Sequence, residues 1–159
     1  MKRIVVGVDG SEGSQRALDW AAEEAGLRDA RLEVVTTYES EPEWGGAPAA
    51  AGMSSKQIEA VRESVATATR RAAEHAQAVA EKMIAGLPGN TESEAVVMAS
   101  QRPAEALVER SRGAEMLVVG SRGLGGFKTL MLGSVSQQCA THADCPVVII
   151  RPPSRGADA

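Results

Sequence analysis

Short apolar runs alternate with segments of helical periodicity along the chain, and this alternation limits the possible folds more than any other feature. Each run is rich in Val, Ile and Leu and ends in turn residues, which is typical of strands buried on both faces of a parallel sheet. The five predicted strands are Arg3 to Val8, Leu32 to Tyr38, Ser93 to Ala99, Met116 to Val119 and Val147 to Ile150. The four predicted helices are Ser14 to Ala25, about Lys56 to Ile84, Pro103 to Arg112, and Ser134 to about Ala143.

This order predicts an α/β fold, a single doubly wound five-stranded parallel sheet with helices on both faces. Right-handed crossovers allow few ways to wind such a sheet, and its ligands bind beyond the carboxyl ends of the strands, where the winding direction reverses. A strand order of 3-2-1-4-5 would place that reversal between the first and fourth strands. The turn at Asp9 and the loop that starts at Gly120 would then face one crevice.

The predicted second helix carries an apolar stripe at steps of three and four residues, opposite a face of Arg and Glu. The stripe consists of Ile58, Val61, Val65, Ala68, Ala72, Ala76, Val79 and Met83. Glycines are expected to end the first and third helices, at Gly26 and Gly113.

One domain accounts for residues 1–152, and residues 153–159 are predicted to form a frayed tail. Within the domain, the segment 39–55 holds two Pro and three Gly and has no periodicity. We expect it to be a flexible loop. Its role stays open between a lid that closes over a ligand and a passive linker.

Composition excludes several classes of protein. Aromatic residues make up only 3% and the net charge is −4, which argues against stacking on nucleic-acid bases and against a basic surface for phosphates of DNA or RNA. The first apolar run is too short for a signal peptide, and no run approaches the ~18 apolar residues of a membrane span. We therefore expect a cytoplasmic protein with no membrane partner.

The cysteines and histidines do not form a pattern that predicts a metal site. Cys139 and Cys145 are not a CxxC pair, and His75 and His142 lack neighbouring ligands in the sequence. We expect two free thiols, with Cys139 packed in the core on the apolar face of its helix.

The segment from Gly120 to Ser134 has three features of an anion-binding loop. Its glycines allow the backbone to approach a ligand closely. Ser134 is expected to open a helix and to form a capping box with Gln137, and a helix start offers unpaired N–H groups and a positive dipole end. Between Met116 and Ala143 there is no Asp or Glu, while Arg122 and Lys128 carry positive charge. The alternative is structural, since the glycines of a tight turn and a capping serine need no ligand.

Other glycine motifs fail on spacing. A Walker A loop needs Gly directly before Lys, and Phe127 stands there. No G-x-G-x-x-G occurs, and the hydrolase elbow G-x-S-x-G is missing at Asp9.

The chain resembles the universal stress protein family over nearly its whole length. The matching segments are IVVGVDGSEGS, AEMLVVGSRGLGG and LGSVSQQCATHADCPVVIIRP. The ATP-binding branch of that family has the pattern G-x2-G-x9-G-[S/T], and Gly120, Gly123, Gly133 and Ser134 match each position. The resemblance implies the strand order 3-2-1-4-5.

The resemblance also implies roles for individual residues. Asp9 would lie near the ribose and adenine or near a metal, unless it is only a turn residue. The backbone of Thr37 would meet the adenine, at a position where the family often has Val. Gly120, Arg122 and Gly123 would hold ribose and phosphate, although Arg122 is alternatively a solvated side chain. The residues implied for the phosphates are Gly133, Ser134, Val135 and Ser136.

The function implied is an ATP-binding stress-response or signalling protein, with another adenine nucleotide as the alternative ligand. Mg²⁺ would be bound by the phosphates of the nucleotide rather than by a dedicated set of protein ligands. Hydrolysis would be slow at most, since Asp9 is the only candidate general base. A homodimer through the last strand, Val147 to Ile150, would cover an apolar edge. The alternatives are a partner-binding module with a vestigial pocket and a nucleotide-transfer enzyme of a related fold.

Overall fold

The computed structural model describes residues 2–39, 52–87, 91–124 and 132–153. Strands and helices alternate in it as β1 (Arg3–Gly7), α1 (Glu12–Arg28), β2 (Arg31–Tyr38), α2 (Ser55–Ala85), β3 (Ser93–Ala99), α3 (Pro103–Arg110), β4 (Met116–Gly120), α4 (Ser134–His142) and β5 (Val147–Ile150). The strands pair in parallel in the order β3-β2-β1-β4-β5. The predicted fold class and strand order are therefore confirmed.

The sheet is buried on both faces because successive residues of its inner strands enter two different cores. Ile4 and Val6 of β1 pack with α1 and α2, while Val5 packs with α3 and α4. All three side chains are fully buried. Since no strand face is left for water, β1 and β4 read as continuous apolar runs, whereas β2 also buries Glu33 and Thr36.

Helix α1 continues past the glycine that was predicted to end it. Ser11 is its N-cap and accepts a hydrogen bond from the Ser14 N–H, and the helix runs to Arg28. Asp29 then takes the left-handed conformation, with φ of 52°. The prediction that Gly26 ends the helix is wrong, because Asp29 supplies the left-handed C-cap residue.

Helix α2 is longer than the sheet it covers. At 1.5 Å per residue its 31 residues span about 46 Å, whereas the eight residues of β2 span about 27 Å. Only Ala76, Ala80 and Met83 are buried, and Ala68 of the predicted stripe is exposed. The predicted loop 39–55 lies mostly outside the described residues, as does the tail beyond residue 153. Ser55 is already the first residue of α2.

Helix α3 is shorter than predicted and ends at Arg110 rather than Arg112. The turn that follows reaches Gly113, which has a φ of +73° and therefore favours glycine. Cys139 on α4 is fully buried, as predicted, in the core that includes Leu107 and Val119.

A close backbone contact joins α1 to the end of β4. A Cβ atom on Gly120 would lie 2.8 Å from the carbonyl carbon and oxygen of Gly13, and one on Gly13 would lie 2.5 Å from the carbonyl oxygen of Arg122. The first turn of α1 therefore lies directly on the segment that leaves β4. Side chains at either position would push the two apart.

We expect Gly120→Ala to destabilise the fold because its Cβ atom meets backbone atoms that cannot rotate away. The expected loss in the free energy of unfolding is about 1–3 kcal/mol, measured by urea unfolding. Gly26→Ala is the matched control, since its Cβ atom has no neighbour within 4 Å. That control should be neutral or stabilising by about 0.5–1 kcal/mol. Equal stability of the two variants would contradict this account of the contact.

Candidate functional site

A cavity of about 500 Å³ lies at the carboxyl ends of β1, β2 and β4, between α3 and the start of α4. All nine residues singled out in the sequence line it, namely Asp9, Thr37, Gly120, Arg122, Gly123, Gly133, Ser134, Val135 and Ser136. The predicted crevice between the first and fourth strands is thus present as a geometric feature. Its position follows from the reversal in winding between β1 and β4.

Eight further residues line the same cavity and were not singled out from the sequence. They are Gly7, Val8, Ser14, Val35, Pro103, Leu107, Val119 and Leu124. Val35 and Thr37 share one face of β2 because side chains alternate along a strand. That alternation is the signal that would have added Val35 to the set, whereas α3 enters only through tertiary packing.

The first turn of α4 has no side-chain cap. Gly133 is the N-cap residue and Ser134 is the first helical residue, so the predicted capping box of Ser134 with Gln137 is wrong. The Gln137 N–H donates to the Gly133 carbonyl oxygen instead, at 3.0 Å. The earlier N–H groups of a helix have no acceptor within the helix. At α4 they border the cavity, where the helix dipole favours negative charge.

Ser136 fixes the entry to α4 through its side chain. Its hydroxyl is buried and lies 2.9 Å from the Gly133 carbonyl oxygen and 3.1 Å from that of Ser121. The Gly133 N–H also donates to the Ser121 carbonyl oxygen, at 2.7 Å. These bonds hold the end of the glycine loop next to its beginning.

Asp9 joins the turn after β1 to the glycine loop. Its Oδ1 accepts from the Ser11 N–H at 3.0 Å, and its Oδ2 accepts from the Leu124 N–H at 2.9 Å. Burial acts to raise the pKa of Asp9, but hydrogen bonds from Ser11, Leu124 and Ser14 outweigh it and lower the pKa below the ordinary value of 3.8. Asp9 is therefore a carboxylate at neutral pH.

Part of the cavity lining is apolar. Val35, Leu107 and Val119 line it, and the three side chains belong to one buried cluster. Odd-numbered residues of β2 direct their backbone groups toward β1, as the Val8 N–H bond to the Val35 carbonyl oxygen shows. Because β1 ends at Gly7, the backbone of Thr37 faces the cavity on that side. A flat aromatic group with polar edges fits such a lining.

Within the part of the chain that the structure describes, no group of three or more His, Cys, Asp or Glu is placed to hold a metal ion. In the same ranges, no helix combines the length and the apolar character that crossing a bilayer requires.

The fold and the cavity define a class, that of doubly wound α/β domains with a cavity and a helix start at the switch point of the sheet. Within that class, the model of the Universal stress protein family matches residues 1–151. The chain belongs to this family.

Curated relatives support the assignment. A protein of Thermus aquaticus described as "Universal stress protein in QAH/OAS sulfhydrylase 3'region" is 35% identical over 152 residues, which cover 94% of this chain and 98% of that protein. A universal stress protein of Mycolicibacterium smegmatis is 33% identical over 150 residues, covering 92% of this chain and 47% of its own length. The chain thus spans about half of the mycobacterial relative.

Solved structures show the same fold. The hypothetical protein MJ0577 is 18% identical with a TM-score of 0.75, over 96% of this chain and 97% of that one. A universal stress protein in complex with cAMP is 29% identical with a TM-score of 0.52, over 94% and 96%. The Archaeoglobus fulgidus protein in complex with dAMP is 23% identical with a TM-score of 0.56, over 94% and 98%. Because MJ0577 and the Archaeoglobus protein are less than 25% identical to this chain, their similarity supports the fold alone.

The lowered pKa of Asp9 predicts a pH dependence of stability. A carboxyl group with a depressed pKa in the folded state contributes stability that is complete above its unfolded pKa and is lost as the pH falls through the folded value. We therefore expect wild type to exceed Asp9→Asn in thermal stability by a constant margin from pH 5 to pH 7. The margin should shrink below the ordinary value of 3.8. A margin that does not change between pH 7 and pH 3 would show that the Asp9 charge is not engaged.

Proposed function

We propose that this is a cytoplasmic stress-response or signalling protein that binds ATP, or another adenine nucleotide, in the crevice between β1 and β4. A protein partner would read the bound state. The observation that supports this most is that one cavity is lined both by the uncapped start of α4 and by the apolar side chains of Val35, Leu107 and Val119. A nucleotide combines the matching chemistry, with charged phosphates and a flat base in one molecule.

The phosphates are assigned to the start of α4. The backbone N–H groups of Ser134, Val135 and Ser136 belong to the uncapped first turn, and all three residues line the cavity. Each charge-assisted bond to a phosphate contributes roughly 1.5–3 kcal/mol. We place Mg²⁺, where present, on the phosphates, because such ions bind through substrate phosphates and few carboxylates.

The base and ribose are assigned to the apolar part of the lining. The Thr37 backbone faces the cavity, and the Asp9 carboxylate retains lone pairs beyond the two that its N–H partners use. Gly120, Arg122 and Gly123 line the same cavity and are assigned to the ribose and phosphates. The relative in complex with cAMP supports an adenine nucleotide as the ligand, and ATP is the form that the G-x2-G-x9-G-[S/T] pattern favours.

Hydrolysis is expected to be slow at most. A general base works best with a pKa near the operating pH, whereas the hydrogen bonds to Asp9 lower its pKa below 3.8. Both of its oxygens already accept backbone N–H groups. Asp9 is therefore a poor proton acceptor for an attacking water.

Ser134→Glu tests the phosphate assignment without damaging the helix. A glutamate at the first helical position interacts favourably with the positive end of the helix dipole and should stabilise α4 slightly. Its negative charge, however, repels a phosphate. We expect isothermal titration with MgATP, on protein first shown to be nucleotide-free, to give about one site per wild-type chain. The affinity of Ser134→Glu should be about 10- to 100-fold weaker, which corresponds to about 1.4–2.7 kcal/mol.

Ser55→Glu is the matched control. It places the same substitution at the first residue of α2, which does not line the cavity. This variant should bind as wild type does. Equal weakening in both variants would point to a general charge effect, and absence of binding in nucleotide-free wild type would favour a partner-binding module with a vestigial pocket.

We also propose that the chain forms a homodimer through β5. The Leu117 N–H donates to the Pro146 carbonyl oxygen and the Ser121 N–H to that of Ile150, so even-numbered residues of β5 face β4. The backbone groups of Val147 and Ile149 therefore point away from the sheet. An apolar edge of this kind invites pairing with another strand.

Ile149→Pro removes one outward N–H group and leaves the bonds between β5 and β4 in place, because proline is tolerated on an edge whose N–H faces outward. We expect the variant to be monomeric under conditions where wild type is dimeric, as measured by light scattering after size exclusion. Ile149→Ala, which loses a similar side chain but keeps the N–H group, should retain more dimer. A monomeric wild type at micromolar concentration would refute the dimer.

A further inference from the structure

We infer that Asp9 is a positioning residue that holds the Arg122–Leu124 arm of the glycine loop, and that Gly123 lacks a side chain to admit this carboxylate. Glycine is then required at position 123 by a contact within the protein, and not by the approach of a phosphate. The role of this arm in nucleotide binding rests on the proposed function. The contact between Asp9 and the arm does not depend on any ligand.

The contact joins two segments that are distant in sequence. Asp9 Oδ2 accepts the Leu124 N–H at 2.9 Å, across a separation of 115 residues. The other oxygen is fixed by the Ser11 N–H, and the Asp9 N–H donates to Ser14 Oγ at 3.3 Å. The carboxylate is therefore also held by its own turn.

The Asp9 carboxylate leaves no room for a side chain at Gly123. A Cβ atom there would overlap Asp9 Oδ2 and would lie 3.3 Å from Asp9 Cγ, and the atoms found within 4 Å of it both belong to Asp9. Gly123 is not among the described glycines with positive φ, so its backbone conformation does not require glycine. Within the described residues, the Asp9 carboxylate is thus the specific obstacle to a side chain.

The other two glycines of the pattern have different neighbours. Gly120 faces the backbone of Gly13, whereas a Cβ atom on Gly133 would lie 3.4 Å from the Ser121 carbonyl oxygen and 3.5 Å from Arg122 Cα. Neither faces Asp9. This difference makes Gly133 a matched control within the same loop.

A double-mutant cycle tests the inference. Thermal unfolding without nucleotide and MgATP titration are measured for Asp9→Ala, Gly123→Ala and the double variant. Contacting residues that share one constraint give non-additive effects. We expect Gly123→Ala alone to lower the melting temperature by about 3–6 °C and to weaken MgATP binding about tenfold. In the Asp9→Ala background the same substitution should change neither quantity measurably, because the carboxylate that it meets is gone.

Gly133→Ala should lower the melting temperature by the same amount in wild type and in Asp9→Ala.

The Leu124 amide gives a second readout that a general loss of packing would not change. Its resonance should shift with acid titration in wild type and stay fixed in Asp9→Ala. Additive effects of Asp9→Ala and Gly123→Ala on unfolding, together with a Leu124 amide that does not titrate in wild type, would overturn the inference. Failure of wild type to bind MgATP would remove the proposed function, while the unfolding cycle and the amide titration would still decide the role of Asp9.

Discussion

The contact between the first turn of α1 and the end of β4 is the constraint on which the site depends. Gly13 and Gly120 meet backbone to backbone, with no side chain between them. This contact brings the turn after β1 to the loop after β4, although more than a hundred residues separate them. The Asp9 bond to Leu124 and the cavity beyond it exist only because these two segments lie side by side. The winding of the sheet selects the two strands, and the glycines set how closely they approach.

The helix starts of the protein are not built alike, and the difference concerns function. Ser11 caps α1 with its side chain, and Ser54 forms a full capping box with Gln57 at the start of α2. Helix α3 has no side-chain cap at Arg102, but its first residue, Pro103, has no N–H group to satisfy. At α4 a glycine stands in the N-cap position, and its first turn opens onto the cavity. Glycine in place of a capping side chain costs only a few tenths of a kcal/mol of stability. A phosphate bound at α4 would supply the missing acceptor, so the loss in the free protein would be offset in the complex.

The sequence predicted most of the fold because its strongest signals are local and agree with one another. The bounds of β3 and β5 match the prediction, since both are apolar runs closed by clear turn residues. The helix ends were less predictable. Gly26 is a local signal for a stop, but α1 continues to Asp29 and takes its left-handed cap there. The serine in Gly133-Ser134 suggested a cap, whereas the backbone places the glycine in that position.

The site was predictable as a list of loop residues but not as a set of contacts. Asp9 and the residues of the glycine loop line one cavity, as the winding of the sheet requires. Leu107 and Pro103 reach the same cavity from α3, and no pattern around them in the sequence indicates it. The overlap between Asp9 and a side chain at Gly123 is likewise a through-space fact, which only the folded chain reveals.

These contacts change what the glycine pattern means. Gly120 is explained by Gly13 and Gly123 by Asp9, and neither explanation involves a ligand. A domain of this fold that had lost its nucleotide would still need both glycines to fold in the same way. An intact pattern is therefore evidence first for the architecture of the loop. The first turn of α4 is different, because its N–H groups border the cavity without a capping side chain. The case for a bound anion rests on that turn more than on the glycines that precede it.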